Sequence, residues 1–215
     1  MVDENVISEL VRRKVVTDTF RRLVPDKKEK LYKTALLLFG KYGYDGLSVD
    51  QYCLQAKISK GSFFQYYPSK SHLLEFTLLL FDQWLLTLVE KIRKGESKVL
   101  TKDRLKYLLI ALSSKNLLEG SEKRFYLFVI NALHHSEVII EGINAGRHFN
   151  KYIKEIISRG IETKEIRADF RPDLTNAVVA ASFDAFLHKY FLLDTQPDEE
   201  TVSCFMSLLM DGIKS

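Results

Sequence analysis

Apolar side chains recur every three or four positions along most of this chain, the spacing that places them on one face of an α-helix. No stretch alternates apolar and polar residues convincingly, so a sheet is not expected. The spacing and its breaks predict about nine helices, near residues 26–42, 49–56, 60–67, 70–93, 101–118, 122–135, 138–160, 172–193 and 198–213. Residues 5–23 show the same spacing and leave room for an extra N-terminal helix. The predicted fold class is therefore all-α.

Residues 43–68 carry the start and stop signals of two short helices. Gly43 stands where a helix would end on a left-handed cap. Ser48, followed three residues later by Gln51, is a capping box, in which each side chain bonds the backbone amide of the other residue. Ser59 caps the second short helix, which Pro68 ends. The sequence thus predicts two short helices joined by a tight turn, with Ile58, Phe63 and Tyr67 packing inward against Leu38, Phe39, Leu47 and Leu54.

The second of these short helices begins with small, hydrogen-bonding residues. Ser59, Lys60, Gly61 and Ser62 form its first turn. A helix fits the major groove of B-DNA, and a slim first turn can approach the base edges closely. The free backbone amides of a helix N-terminus also suit phosphate. Gln65 can pair with adenine through two hydrogen bonds. The pattern therefore predicts a helix-turn-helix that reads double-stranded DNA.

The distribution of charge changes this picture more than its total does. The formal net charge is only +4, but residues 1–71 hold 13 Lys and Arg against 8 Asp and Glu, while the remainder holds 19 against 20. A basic end on a neutral body is expected where one end of a protein meets phosphate. A solvated, lysine-rich surface remains the alternative explanation of this surplus.

Composition bounds the class of protein. The two cysteines, Cys53 and Cys204, are interpreted as buried small residues of a reducing compartment and not as a disulfide. Charged residues interrupt every apolar run before the ~20 residues that a membrane span needs. The first residues are acidic and lack the basic start and apolar core of a signal peptide. We therefore expect a cytoplasmic protein that contacts no membrane.

Residues 35–74 resemble the N-terminal domain of the TetR family of bacterial transcription regulators. The similarity is carried by Ala35–Phe39, Gly43-Tyr44, Leu47–Val49, the block Ile58–Lys70 (ISKGSFFQYYPSK), and Leu73-Leu74. It implies three domains: an N-terminal extension at 1–25, a three-helix helix-turn-helix DNA-binding domain at 26–72, and a larger helical ligand-binding and dimerisation domain at 73–215. The DNA-contacting residues that it implies are Ser48, Ser59, Lys60, Gly61, Ser62, Gln65, Tyr66 and Lys70. Capping alone is the alternative role of Ser48 and Ser59.

Three features depart from the family pattern. Lys57 occupies the turn position where the family usually has glycine, and a left-handed conformation there would cost roughly 1 kcal/mol. Phe64 stands where the family usually has a tyrosine that touches phosphate, so that contact is expected to be lost. The segment before Asp26 is longer than in most members. Its arginines could contact the minor groove or the DNA backbone, and a disordered or self-packing tail is the other interpretation.

The last two predicted helices carry the features of a protein interface. Residues 159–172 also resemble the family, more weakly. This resemblance implies that helices 172–193 and 198–213 lie where the family forms a four-helix homodimer interface. The first of them has a slim face for close packing, formed by Ala177, Ala180, Ala181 and Ala185, and its bulk comes from Phe183, Phe186 and Phe191. Phe205, Leu208 and Leu209 offer an apolar stripe on the last helix, so a homodimer is predicted.

The family also implies a small-molecule inducer held in the C-terminal domain. An aromatic-rich interior would suit a lipophilic or aromatic ligand. The residues predicted to line the site are Phe81, Trp84, Leu108, Phe125, Phe128, Val129, Asn131, Phe149, Tyr152 and Phe183. Aromatic residues at helical spacing are more often core residues than a ligand site, so a purely structural role is the alternative for each of them.

Two other classes of function compete with the regulator. His134, His135, Glu137 and Glu141 could be metal ligands of an enzyme if one helix were continuous. However, no phosphate-binding glycine loop, nucleophile elbow or Cys/His pair at recognised spacing is present. We therefore predict no enzyme activity, no metal and no cofactor. An architectural DNA binder without ligand control is the third class, and it predicts a filled interior.

The sequence thus predicts a TetR-like repressor. A homodimer would bind a near-palindromic operator, and a small molecule would release it. The inducer, the operator and the regulated genes lie beyond what this sequence determines.

Overall fold

The computed structural model describes residues 4–94, 100–113, 120–134, 147–169 and 171–212. Within these ranges it has no strand, which confirms the all-α prediction. The described residues form eleven helices: α1 (Glu4–Arg12), α2 (Asp18–Arg21), α3 (Pro25–Gly46), α4 (Val49–Ala56), α5 (Lys60–Tyr66), α6 (Lys70–Lys94), α7 (Thr101–Ser113), α8 (Ser121–His134), α9 (Arg147–Glu162), α10 (Pro172–Leu192) and α11 (Glu199–Asp211). The start predicted for the helix at 138–160 falls outside the described residues.

The contacts divide the chain into two compact units. The first comprises Met1–Gln83 and Gly120–Ala145, and the second comprises Trp84–Glu119 and Gly146–Ser215. Helix α6 contributes residues to both. This division does not follow the predicted domain boundary after residue 72, because α8 joins the first unit by packing against α3. A boundary drawn from a sequence motif carries no information on such a non-local contact.

Helices α3 and α8 approach each other at Gly40. A Cβ atom at this position would lie 2.8 Å from the backbone nitrogen of Phe125 and 2.9 Å from the carbonyl carbon of Arg124. Around this crossing, Phe39 and Phe125 are fully buried. The Phe128 ring lies 6.2 Å from that of Phe39. Glycine is therefore required here for close packing of two helix backbones.

A cluster of five aromatic side chains forms the core beneath the two short helices. Tyr67 lies at its centre, with ring centroids 5.4 Å from those of Phe20, Phe63 and Phe76. Tyr52 lies 5.7 Å from Phe63, and all five side chains are fully buried. Burial raises the pKa of both tyrosines well above the usual range, which keeps them neutral. This core supports α4 and α5 from below.

Residues 4–24 of the N-terminal extension fold as part of the first unit. Ile7 and Leu10 of α1 and Phe20 of α2 are buried. The Nζ of Lys28 on α3, itself only 2% exposed, lies 2.7 Å from a Glu4 carboxylate oxygen. These residues therefore pack against the rest of the unit, and contact of the extension's arginines with DNA stays a prediction.

The second unit is built from α7, α9, α10 and α11. Helix α9 makes a close approach at Gly160, where a Cβ atom would lie 2.7 Å from the Thr101 hydroxyl oxygen and 2.9 Å from Ile166. Glu165, just after α9, accepts a hydrogen bond of 2.7 Å from the Thr101 backbone amide at the start of α7. The Glu165 carboxylate, just after the end of α9, therefore caps the N-terminus of α7.

Four local predictions need correction. Gly43 has a positive φ of 67° as expected, but its ψ of −173° is not that of a left-handed helical cap, and one further turn extends to Gly46. Leu54 was expected to pack inward and is 81% exposed, because Tyr52, Cys53 and Ala56 occupy the inward face of α4. Ala180, expected on the slim outer face of α10, is buried. Cys204 is exposed, whereas Cys53 is buried as predicted.

Candidate nucleic-acid interface

Helix α4 begins and ends as its local sequence dictates. The Ser48 hydroxyl accepts the Gln51 backbone amide at 3.1 Å, and the Gln51 side chain accepts the Ser48 amide at 2.8 Å. The predicted capping box is confirmed. At the other end Lys57 adopts the left-handed conformation, with φ 57° and ψ 50°, although a side chain makes this unfavourable. The turn geometry thus overrides the preference of its residue.

Helix α5 presents a slim first turn to solvent. The Ser59 hydroxyl caps it by accepting the Ser62 amide at 3.0 Å. A Cβ atom added at Gly61 would meet nothing nearer than the Ser59 hydroxyl at 3.7 Å, so the helix surface there is bare. Phe63 points inward and is fully buried. The exposed face of α5 therefore carries short polar groups at its start and Gln65 near its end.

The residues predicted to contact DNA fall into three groups by exposure. The exposed group consists of Ser48, Ser59, Lys60, Gly61 and Gln65. Ser62 and Lys70 are half-buried, and Tyr66 is buried. All of them lie on α4, α5 or the adjoining turns and helix start, so the structure brings the predicted set together on one unit. Their contact with DNA remains a prediction.

Two of the predicted cations already have partners within the chain. The Lys60 Nζ lies 2.9 Å from an Asp50 carboxylate oxygen, with both side chains largely exposed. The Lys70 Nζ donates to the Tyr44 carbonyl oxygen at 2.8 Å and lies 4.2 Å from the centre of the Tyr44 ring. Lys60 can exchange a carboxylate for a phosphate at little cost because exposed ion pairs are weak. Lys70 holds the start of α6 to the end of α3.

Tyr66 is the least accessible of the residues predicted to contact DNA. Its side chain is only 5% exposed, and its hydroxyl oxygen accepts a hydrogen bond of 3.0 Å from the Lys27 Nζ. The ring packs edge-on against Phe20 at 6.2 Å. The hydroxyl of this predicted DNA contact thus has a lysine of α3 as its partner. Sequence reasoning missed Lys27, because nothing local links it to a residue 39 positions away.

Exposed apolar side chains accompany the polar ones. Phe64 on α5 is 50% exposed, and Leu54 on α4 is 81% exposed. Apolar groups in the major groove can contact the methyl group of thymine. The outward position of Leu54 follows from helical phase, since it lies one residue beyond the inward Cys53. A correct assignment of the buried positions of α4 would therefore have predicted from the sequence that Leu54 is exposed.

The residues predicted to line an inducer site divide between the two units. Phe81, Phe125 and Val129 are buried in the first unit, with Phe128 half-buried and Asn131 exposed. Leu108, Tyr152 and Phe183 are buried in the second unit, and Trp84 is half-buried. The Phe149 side chain lies outside the described part. Core packing is visible at Phe81 and Phe125, whose rings are 5.0 Å apart. The ligand role of these residues remains a prediction.

A separate cleft of about 480 Å³ lies beside α3 in the first unit. Its walls are formed mainly by charged and polar side chains: Asp26, Glu29, Lys30, Lys33, Thr34, Leu37 and Ser121. None of the residues predicted to line the inducer site takes part. Such walls do not match the apolar lining expected for a lipophilic ligand.

Neither a metal centre nor a membrane span occurs in the described part of the chain. No group of three or more His, Cys, Asp or Glu side chains there could hold a metal ion. The alternative metal set fell on the side chains of His134, His135, Glu137 and Glu141, which lie outside the described residues. Among the described helices, none combines the length and the apolar character needed to cross a membrane.

Comparison with known proteins agrees with this geometry. Residues 31–76 match the bacterial regulatory proteins of the tetR family, from α3 to the first turns of α6. The uncharacterized HTH-type transcriptional regulator YuxN of Bacillus subtilis is 38% identical over 73 residues, which cover 34% of this chain and 25% of that protein. The matched stretch is thus a quarter of the relative's length.

Solved structures share the fold over most of the chain. A putative transcriptional regulator from Pseudomonas aeruginosa is 21% identical with a TM-score of 0.73, covering 90% of this chain and 93% of that one. The transcriptional regulator FadR from Bacillus subtilis, solved in complex with stearoyl-CoA, is 19% identical with a TM-score of 0.69, covering 86% and 99%. The helix-turn-helix of α4 and α5 thus lies in the stretch, residues 31–76, that matches the tetR family of bacterial regulatory proteins, and the fold of most of the chain is shared with these solved regulators.

Proposed function

We propose that this protein is a transcriptional repressor that binds a near-palindromic DNA operator as a homodimer and is released by a small lipophilic or aromatic ligand. The observation that carries the proposal is the exposed polar face of α5. Ser59, Lys60, Gly61 and Gln65 lie there together on a helix whose opposite side is anchored in the aromatic core.

Helix α5 is the element that would enter the major groove. Its bare start permits close approach to base edges, and Gln65 offers a donor and an acceptor to adenine. Lys60 would break its ion pair with Asp50 and contact a DNA phosphate. The Ser48 and Ser59 hydroxyls would contact the DNA backbone in addition to capping their helices. Backbone contacts position the protein, whereas Gln65 supplies sequence preference.

A homodimer through α10 and α11 is supported by the outer faces of these helices. Leu174 and Val178 on α10 are 60% and 50% exposed, and Leu208 on α11 is 76% exposed. Ala181 and Ala185 continue the stripe of α10 and are exposed as well. A helix that is apolar on its outer as well as its inner face needs a partner on both sides. A second copy satisfies this requirement and presents two α5 helices to a two-fold operator.

The proposed ligand class rests on the predicted aromatic lining and on one fold relative. FadR of Bacillus subtilis was solved with stearoyl-CoA, a ligand with a long apolar chain. For this chain we propose that such a ligand favours a state in which the two α5 helices have the wrong spacing for the operator. Stearoyl-CoA should then release bound operator DNA, whereas coenzyme A without the acyl chain should not.

Selection of bound sequences from a random pool of double-stranded DNA tests the function directly. We expect an enriched inverted repeat, bound with an affinity that falls steeply with salt. Replacing Gln65 with Ala should relax the base preference at one position of each half-site, at a cost of about 1–3 kcal/mol. Gln83→Ala is the matched control, since Gln83 is an exposed glutamine on α6 and should leave the preference unchanged.

The other outcomes of this selection separate the alternatives. Binding without an enriched motif would indicate an architectural DNA binder in place of a specific regulator. If the protein bound no DNA even after unfolding and refolding to remove any co-purified ligand, the proposed function would be wrong.

A further inference from the structure

The C-terminal end of α5 is held from outside the helix-turn-helix. This helix has only seven residues, and the last carbonyl groups of any helix lack partners within it. Here Thr17, just before α2, supplies them. Its backbone amide donates to the Tyr66 carbonyl oxygen at 3.1 Å, and its hydroxyl donates to the Gln65 carbonyl oxygen at 2.5 Å. The N-terminal extension therefore caps the helix proposed to read DNA.

Thr17 is itself held in place by α2. It is the N-cap of that helix, and its hydroxyl oxygen accepts the Phe20 backbone amide at 3.2 Å. Phe20 is fully buried, with its ring centroid 5.0 Å from that of Phe76 on α6. The Thr17 hydroxyl thus links the start of α2 to the end of α5. Phe20, three residues after Thr17, packs in the aromatic core and fixes the position of α2.

Two ion pairs attach the rest of the extension to the same unit. Glu4 pairs with the buried Lys28 of α3 at 2.7 Å, and Arg13 pairs with Glu75 of α6 at 2.6 Å. The extension therefore contacts α3, α5 and α6. The family match begins at residue 31, so the residues that the extension contributes to these contacts precede the part of the chain that the family pattern covers.

We propose that Thr17 is a positioning residue for DNA recognition, and that α1 and α2 form part of the DNA-reading unit. Thr17 binds the backbone carbonyl of Gln65, the residue proposed to read a base. A bidentate contact to adenine requires the side chain to start from a defined backbone position. Short helix ends fray when their carbonyl groups lose partners. The Thr17 hydroxyl thus sets base preference through Gln65 without touching DNA. This inference rests on the proposed function.

The test compares Thr17→Val, Thr17→Ser and a control. Valine keeps the branched shape and loses the hydroxyl, whereas serine keeps the hydroxyl. Thr77→Val is the matched control in the same unit, because Thr77 is fully buried and its hydroxyl donates to the Leu73 carbonyl within α6 at 2.7 Å. The readouts are base preference in DNA selection and hydrogen exchange of the α5 amides in the full-length protein without DNA.

We expect Thr17→Val to weaken base preference at the operator position that Gln65→Ala identifies, by about fivefold, the equivalent of one lost hydrogen bond. Preference at the other positions should persist. Exchange of the amides near Phe63 and Tyr67 should accelerate by a similar factor. Thr17→Ser should restore both properties, and Thr77→Val should change neither.

Several results would overturn the inference. A uniform loss of affinity for all sequences would make Thr17 a stabilising residue only. Unchanged base preference in Thr17→Val would also contradict it, even if exchange accelerated. If the wild-type chain enriched no motif, the proposed function would fail and the recognition role with it, while hydrogen exchange would still decide whether Thr17 holds α5. The two failures are therefore distinguishable.

Discussion

At the scale of single residues, two lysines of the candidate interface already contact side chains of the same chain. Lys60 faces Asp50 across 2.9 Å, and Lys27 faces the Tyr66 hydroxyl. The first pair is exposed to solvent and contributes little to stability. A carboxylate on the surface that meets phosphate nevertheless opposes DNA binding through repulsion at short range. We therefore expect the Asp50 carboxylate to lower the affinity of the protein for DNA.

Replacing Asp50 with Asn should strengthen DNA binding. The change frees Lys60 for phosphate and removes a repulsive charge, so we expect affinity to rise about two- to fivefold for all sequences, with a steeper dependence on salt. Titration of labelled operator at several salt concentrations measures both quantities. In a Lys60→Ala background the gain should shrink. An equal gain in that background would show that Lys60 plays no part.

At the scale of secondary-structure elements, glycines and caps decide where helices meet. Gly40 allows α3 and α8 to approach, and Gly160 allows α9 to lie against Thr101 at the start of α7. In the second unit, Glu165 completes this junction by accepting hydrogen bonds from the Thr101 amide and, at 2.8 Å, from the Thr163 hydroxyl. These contacts position the helices that carry the aromatic cores, so they affect function through stability.

Gly40→Ala should destabilise the protein. The new methyl group would meet the backbone of α8 at 2.8 Å, and overpacking of this kind costs about 1–3 kcal/mol. Gly61→Ala is the control, because that position is open and alanine there should raise helix stability by about 0.5–1 kcal/mol. Urea denaturation measures both changes. If Gly40→Ala unfolded at the same urea concentration as the wild type, the close helix crossing would be refuted.

Glu165→Gln should destabilise the protein above pH 4.5 by about 1 kcal/mol, the usual worth of a helix cap. Burial raises the pKa of Glu165, but hydrogen bonds from Thr101 and Thr163 outweigh this effect, so the pKa lies below that of an ordinary glutamate. A lowered pKa means that stability is present above that value and is lost as the pH falls through the folded-state pKa. The difference between wild type and variant in thermal unfolding should therefore shrink in acid. A difference that stayed constant with pH would contradict this account of the cap.

At the scale of the whole molecule, the outer faces of α10 and α11 are the feature that a single chain leaves unexplained. Leu174 and Val178 on one helix and Leu208 on the other remain exposed, although apolar residues of this size gain free energy from burial. Cys204 lies one helical turn before Leu208 and is also exposed. Association through these faces would bury all four and pair two DNA-reading units, as the proposed operator requires.

Leu208→Glu should convert the proposed dimer to a monomer without unfolding the chain. Leu208 is 76% exposed in the single chain, so the charge costs nothing there, but it would be buried unpaired in a dimer. Sedimentation velocity should show the change in mass, with loss of operator binding. Tyr107→Glu on α7, at a residue 51% exposed, is the matched control. A monomeric wild-type protein would contradict the proposed interface.

The local features of α4, α5 and the turns beside them were predictable from the sequence, because the interactions that produce them join residues only a few positions apart. The capping box of Ser48 and Gln51 and the cap at Ser59 each join residues three apart. The positive φ of Gly43 and the limits of α4 and α5 follow from similar local preferences. The all-α fold class followed from helical spacing. Such interactions are encoded where they occur, so the sequence by itself determined them.

Tertiary structure decided what depends on residues far apart in the chain. The burial of Tyr66 depends on Phe20 and Lys27, and the support of α5 depends on Thr17, 48 residues before Gln65. The place of α8 beside α3 depends on Gly40. Periodicity predicts that a face is buried but not what covers it, because many partners satisfy the same pattern. The physical reason is that burial is a property of packing between elements, and only the folded chain brings those elements together.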